Sequence, residues 1–158
     1  VCSTFKWLMG MRGAAMLTGT PEALSALRPQ APSWYAGLDR STSLYGGPPR
    51  LAGTARRLDL PPVWPAWITL EESLGLLEEV GIAEVGAHNV ALADRFCEAM
   101  GMEPTGSAIV SVPLSEEVAE RVTGAGISTA ARNGRLRAAF HLYNDESDVD
   151  RLVEALRG

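Results

Sequence analysis

Thirteen of the fourteen basic residues in this 158-residue chain are arginine, and the only lysine is Lys6. Arginine stays protonated at any working pH. A lysine that is buried or set among other cations can lose its proton and attack a carbonyl to form a Schiff base. The chain is rich in Ala, Gly, Pro and Arg, as expected from a GC-rich genome in which a surface lysine drifts readily to arginine. One retained lysine in that background is a candidate amine nucleophile. The ordinary alternative is a solvated side chain with no role.

Other chemistry-bearing residues are sparse. Cys2 and Cys97 lie far apart and match no metal-ligand spacing, which argues against both a disulfide framework and a structural zinc site. His88 falls in a helical stretch among polar neighbours, and His141 follows a strand without an evident acid or base partner; both read as structural. Charge is unevenly spread: residues 1 to 61 carry seven basic and three acidic side chains, residues 62 to 158 seven and sixteen. No Lys/Arg run is interleaved with aromatics, so nucleic acid is not an expected partner, whereas a small anion suits the basic segment. With 46% apolar and 21% charged residues the chain should fold as a globular unit. No apolar run approaches the roughly 18 residues of a membrane span. The opening Val1–Lys6 lacks the pattern of a secretion signal, so the expectation is a cytoplasmic protein away from membranes.

The elements that must position these residues can be read from periodicity and caps. The first residues read as the end of a strand, Phe5 to Gly13 as a loop, and Ala14 to Thr18 as a short buried strand. Thr20-Pro21-Glu22 opens a short helix ending near Leu27, with Thr20 as N-cap and Pro21 at the first helical position. Residues 28 to 65 form a long Pro-, Gly- and aromatic-rich loop, longer than a domain tolerates without a use for it. Within it, Trp34-Tyr35-Ala36-Gly37 and Tyr45-Gly46-Gly47-Pro48-Pro49-Arg50 combine aromatic surface with flexible backbone, as a substrate-facing or subunit-crossing loop would. Helical spacing then runs from Trp64 to Val80, with a stop at Gly81, and again from Ile82 to Met100. Beyond it come a strand at Ala108 to Val112, a helix capped by Ser115, and strands at Ile127 to Ala131 and Arg135 to Phe140 about Asn133-Gly134, a strong hairpin signal. A last helix is capped by Asn144. Alternation in the second hairpin strand puts Arg135, Arg137 and Ala139 on one face and Leu136, Ala138 and Phe140 on the other. The expected organisation is residues 1–61 as the end of a larger cofactor-binding domain with its substrate loop, 62–81 as a connecting helix, and 82–158 as a small α+β domain, an antiparallel sheet with helices on one side.

Ser3-Thr4-Phe5-Lys6-Trp7-Leu8-Met9-Gly10-Met11-Arg12-Gly13 resembles the Schiff-base segment of the class V aminotransferase superfamily, the fold-type I pyridoxal phosphate enzymes. Leu136-Arg137-Ala138-Ala139-Phe140-His141-Leu142-Tyr143-Asn144 and the helix after it resemble that superfamily's closing strand and helix. The resemblance spans the whole chain and implies an α/β fold, the C-terminal part of such an enzyme, the missing part being the upstream half, which would hold most of the large domain. It implies pyridoxal 5'-phosphate bound as a Schiff base on Lys6, a Ser3 hydroxyl on the cofactor phosphate, and the substrate α-carboxylate on Arg137. It also implies a homodimer acting on an α-amino acid or amino-acid conjugate, as a lyase, including C–S cleavage, or as an aminotransferase.

The sequence departs from the superfamily at three places. Phe5 stands where many members place His. Leu58-Asp59-Leu60-Pro61-Pro62 stands where many have Arg-Phe-Glu-x-Gly-Thr, and Pro61 and Pro62 offer neither a hydroxyl nor an N–H to a phosphate. No cysteine lies between Ile127 and Arg137, where a desulfurase would carry its persulfide-forming thiol, and Cys97 on a helix is a poor substitute. A reading from a different class is a non-catalytic interaction or regulatory module derived from that fold.

Overall fold

The computed structural model describes all 158 residues, and the chain divides into two compact units, Val1–Leu76 and Leu77–Gly158.

In the first unit, β1 (Cys2–Ser3) pairs antiparallel with β2 (Ala15–Met16), Cys2 opposite Met16 and Ser3 opposite Ala15. The segment read as a buried strand is thus shorter and more exposed than expected: Ala14 is buried, but Ala15 and Met16 are open to solvent. With two residues per strand, the pair has too little surface to enclose a side chain. Helix α1 (Pro21–Ala26) starts as its sequence dictates, the Thr20 hydroxyl accepting from the Ala23 N–H. Residues 28–63 contain only two short 3-10 turns, Trp34–Ala36 and Ala55–Leu58. They are ordered by cross-loop bonds, among them Leu38 N–H to the Arg50 carbonyl at 2.6 Å and Ala52 N–H to the Ala36 carbonyl at 2.9 Å. Helix α2 (Trp64–Val80) follows, and the boundary between the units falls inside it.

The second unit holds α3 (Ile82–Ala99), β3 (Ile109–Pro113), α4 (Glu116–Gly124), β4 (Ala130–Arg132), β5 (Arg135–Ala139) and α5 (Glu146–Arg157). The sheet order is β3-β5-β4, antiparallel throughout. Asn133 and Gly134 both have positive φ, 53° and 70°, which is why this dipeptide can close the β4–β5 hairpin in two residues. Val110 and Val112 of β3 and Leu136 and Ala138 of β5 alternate inward, joining Leu92, Phe96, Val122, Val149 and Leu152 from the three helices in one apolar core. All three helices therefore cover the same sheet face, and the other face, bearing Arg135 and Arg137, is open.

One cap differs from the sequence reading. Asp145, not Asn144, caps α5, its carboxylate accepting from the N–H groups of Ser147 and Asp148 in a capping box. The Asn144 side chain is already engaged, accepting from the His141 N–H at 3.0 Å and donating to Asp148 at 3.0 Å. No helix is long and apolar enough to cross a membrane.

Candidate functional site

Lys6 lies on the connection between β1 and β2, and the polypeptide there is fixed from beneath. Thr4 is fully buried; its hydroxyl donates to the Ala14 carbonyl at 2.9 Å, its N–H reaches the same oxygen at 3.3 Å, and its carbonyl accepts from Gly10 N–H at 2.9 Å. Met9 N–H closes a tight turn onto the Lys6 carbonyl at 2.9 Å, with Met9 at a φ of 55°. From α2, the Ser73 hydroxyl donates to the Met9 carbonyl at 3.3 Å. Gly10 permits that approach, because a Cβ there would stand 3.1 Å from a Leu70 methyl. Lys6 itself is exposed on this turn, its ammonium 5.4 Å from the centroid of the Phe5 ring. The Arg12 guanidinium lies over the same ring at 4.4 Å. All four salt bridges of the chain lie in the second unit, so no carboxylate neutralises Lys6 or Arg12.

Ser3, half-buried, lines a cleft of about 890 Å³ together with Phe5, Tyr35, Arg40, Asp59 and Trp67, and its hydroxyl has no hydrogen-bond partner within the chain. Leu58 to Pro62 form one wall without a hydroxyl. Of the long loop's aromatics, Tyr35 reaches this cleft, while Trp34 and Tyr45 are not among its lining residues and Tyr45 is exposed. The loop is held by arginines whose sequence positions gave no hint of this work. Arg56 donates to the carbonyls of Tyr35 and Leu38, both at 3.0 Å, and Arg57 to those of Leu24 at 2.6 Å and Leu27 at 3.3 Å. Asp39 makes a local turn with Ser41 and Thr42; the Ser41 hydroxyl, then the backbone N–H groups, hold its carboxyl below the ordinary range.

Arg137 belongs to the second unit. It occupies the central strand of the three-stranded sheet, directly opposite Ser111 on β3 and Ala130 on β4, with its side chain on the open face. It forms no ion pair or hydrogen bond. Its neighbour Arg135 does: Nε donates to the Ser111 hydroxyl at 3.1 Å and a terminal nitrogen to the Ser111 carbonyl at 2.7 Å. Cys97 is fully buried in the core, where desolvation pushes its thiol pKa up. The exposed His88 is bonded at Nε2 to the Asn144 carbonyl at 3.0 Å, and His141 is buried with its ring stacked on Tyr143 at 5.1 Å. A second cleft, of about 780 Å³, is lined by His88, Arg95, Glu98 and Glu146 among others. Its cation is already satisfied: Arg95 pairs bidentately with Asp150 at 2.9 and 3.0 Å and with Glu146 at 3.3 Å. No group of three or more metal-ligating side chains occurs.

No protein-family model matches the sequence. Solved structures do match the fold. A cysteine desulfurase, CsdA of Escherichia coli, superposes with a TM-score of 0.75 at 20% identity, covering 95% of this chain and 43% of that one. A cystine C–S lyase, C-DES, solved with its reaction product cysteine persulfide, gives a TM-score of 0.75 at 18% identity, covering 96% of this chain and 44% of that one. The chain has the fold of the C-terminal part of a cysteine desulfurase-like enzyme, and spans less than half the length of the structures it matches.

Proposed function

We propose that this chain is the lysine-bearing and carboxylate-binding part of a pyridoxal phosphate enzyme that acts, as a homodimer, on an α-amino acid or amino-acid conjugate, cleaving a C–S bond in preference to transferring the amine. The observation that carries the reading is the sole lysine on a turn pinned by the buried Thr4, with its amine unpaired and the unengaged Ser3 hydroxyl three residues away.

The residues of the first unit fit the cofactor's chemistry: an accessible amine for its aldehyde carbon, a free hydroxyl for its phosphate, and in Arg12 a nearby cation without a carboxylate partner. When bound, pyridoxal phosphate supplies an electron sink for the carbanion left as a bond to the amino acid's Cα breaks. Lys6 would hold the cofactor covalently and, once displaced by the substrate amine, move the proton at Cα. Ser3 would donate its O–H to the phosphate. Arg137 would bind the α-carboxylate through its planar fork.

A persulfide-forming thiol is unsupported, because Cys97 is enclosed in the core and no cysteine lies between Ile127 and Arg137. In the elimination favoured instead, the Cβ–S bond of a cysteine conjugate breaks, the thiol leaves with a proton, and water releases pyruvate and ammonium. The complete gene product incubated with pyridoxal phosphate should show a visible absorbance band that borohydride removes. With a cysteine S-conjugate it should form pyruvate without added 2-oxo acid. A dependence on 2-oxo acid would assign an aminotransferase, and the absence of any band would end the reading.

A further inference from the structure

We propose that Ser111 is a second contact for the carboxylate bound by Arg137, and that Arg135 is the positioning residue that aims its hydroxyl. The inference rests on Arg137 as the carboxylate-binding residue and adds two neighbours to it.

The open face of the sheet carries three arginines, Arg132, Arg135 and Arg137, and no carboxylate. Two of them, Arg132 and Arg137, make no hydrogen bond or ion pair. Arg135 is different. Opposite Pro113 in the register, it reaches back along β3 to Ser111, filling one acceptor site of the hydroxyl with Nε and engaging the carbonyl of the same residue with a terminal nitrogen. A guanidinium donates and cannot accept, so the proton of the Ser111 hydroxyl is left for another acceptor, and none exists within the chain. That unspent donor belongs to the residue directly across the ladder from Arg137, where side chains on one face have Cβ atoms about 4.5–5.5 Å apart.

An ionised carboxylate has two oxygens and about four lone-pair sites, so it can accept the two parallel donors of an Arg137 fork and a third from Ser111. The three-donor arrangement selects for a carboxylate, since an amine or a hydroxyl could not accept all three. Arg135 spends two of its five N–H donors on Ser111, which ties its guanidinium to that residue.

Arginine side-chain Nε signals of the isotopically labelled chain, titrated with acetate as the probe, test this directly. Acetate should shift the Arg137 signal saturably. Ser111→Ala should weaken binding about three- to tenfold and Ser111→Thr, which keeps the hydroxyl, should restore it. Arg135→Lys should weaken binding with Ser111 still present. Equal affinity in the parent and in Ser111→Ala would overturn the proposal while leaving Arg137 as the carboxylate residue. No saturable shift at Arg137 in the parent would overturn both.

Discussion

The Thr4 hydroxyl helps to hold the Lys6 turn, and nothing in the sequence around it announces this. Its partners are backbone carbonyls seven and ten residues away, Met11 and Ala14, so the bonds exist only once β1 and β2 have closed. Thr4→Val preserves the shape and removes the donor; it should destabilise the first unit by about 1–2 kcal/mol in urea unfolding, and a cost below the error of the measurement would mean that the N–H to Ala14 suffices. Lys6, by contrast, stands out in the sequence as the only lysine, and strand alternation puts Arg137 on the open sheet face, while the roles proposed for both come from the family resemblance. Arg137→Lys keeps the charge but loses the fork. Spectroscopic titration of the holoenzyme with amino acids should show affinity reduced by roughly 1.5–3 kcal/mol with cofactor content unchanged. Unaltered affinity would leave Arg135 or Arg132 as the better candidate on that face.

Helix ends show where local sequence suffices and where it does not. Thr20, Ser115 and the Asn133-Gly134 turn act as their types and spacing require, because a cap or a tight turn involves only neighbouring residues. The opposite ends are closed from afar: Arg57 binds the C-terminal carbonyls of α1, and Arg121 of α4 binds the Ala155 and Leu156 carbonyls at the end of α5. Arg57→Ala should therefore fray α1, seen as faster amide exchange at Leu24 to Leu27, whereas Arg57→Lys should restore part of the protection. At α5 the misread cap has a pH signature. The Ser147 hydroxyl, then the Asp148 N–H, lower the Asp145 pKa in the folded chain. A carboxyl depressed on folding adds stability above its unfolded value of about 3.9, and that contribution is lost as pH falls through the folded value. Amide protection of α5 should accordingly decline as pH drops below about 4, and Asp145→Ala should flatten the decline. An unchanged profile in the variant would remove Asp145 as its source.

At the scale of the whole chain, the second unit was the more legible because its periodicities and its hairpin agree with one core, the α5 cap excepted. The first unit was not, since two-residue strands and a long loop leave no period to read. Hydrogen exchange in the 158-residue chain should reflect this, with Ala15 and Met16 exchanging faster than Leu136 and Ala138; equal protection would mean that the β1–β2 pair is part of a cooperative core. Lys6, the only lysine of the chain, is the residue on which the proposed function stands or falls. The decisive measurement is peptide mass spectrometry of the complete gene product after incubation with pyridoxal phosphate and borohydride reduction. The expected result is a phosphopyridoxyl adduct on the peptide containing Lys6, absent from Lys6→Ala. An adduct on any other lysine, or no adduct at all, would contradict it.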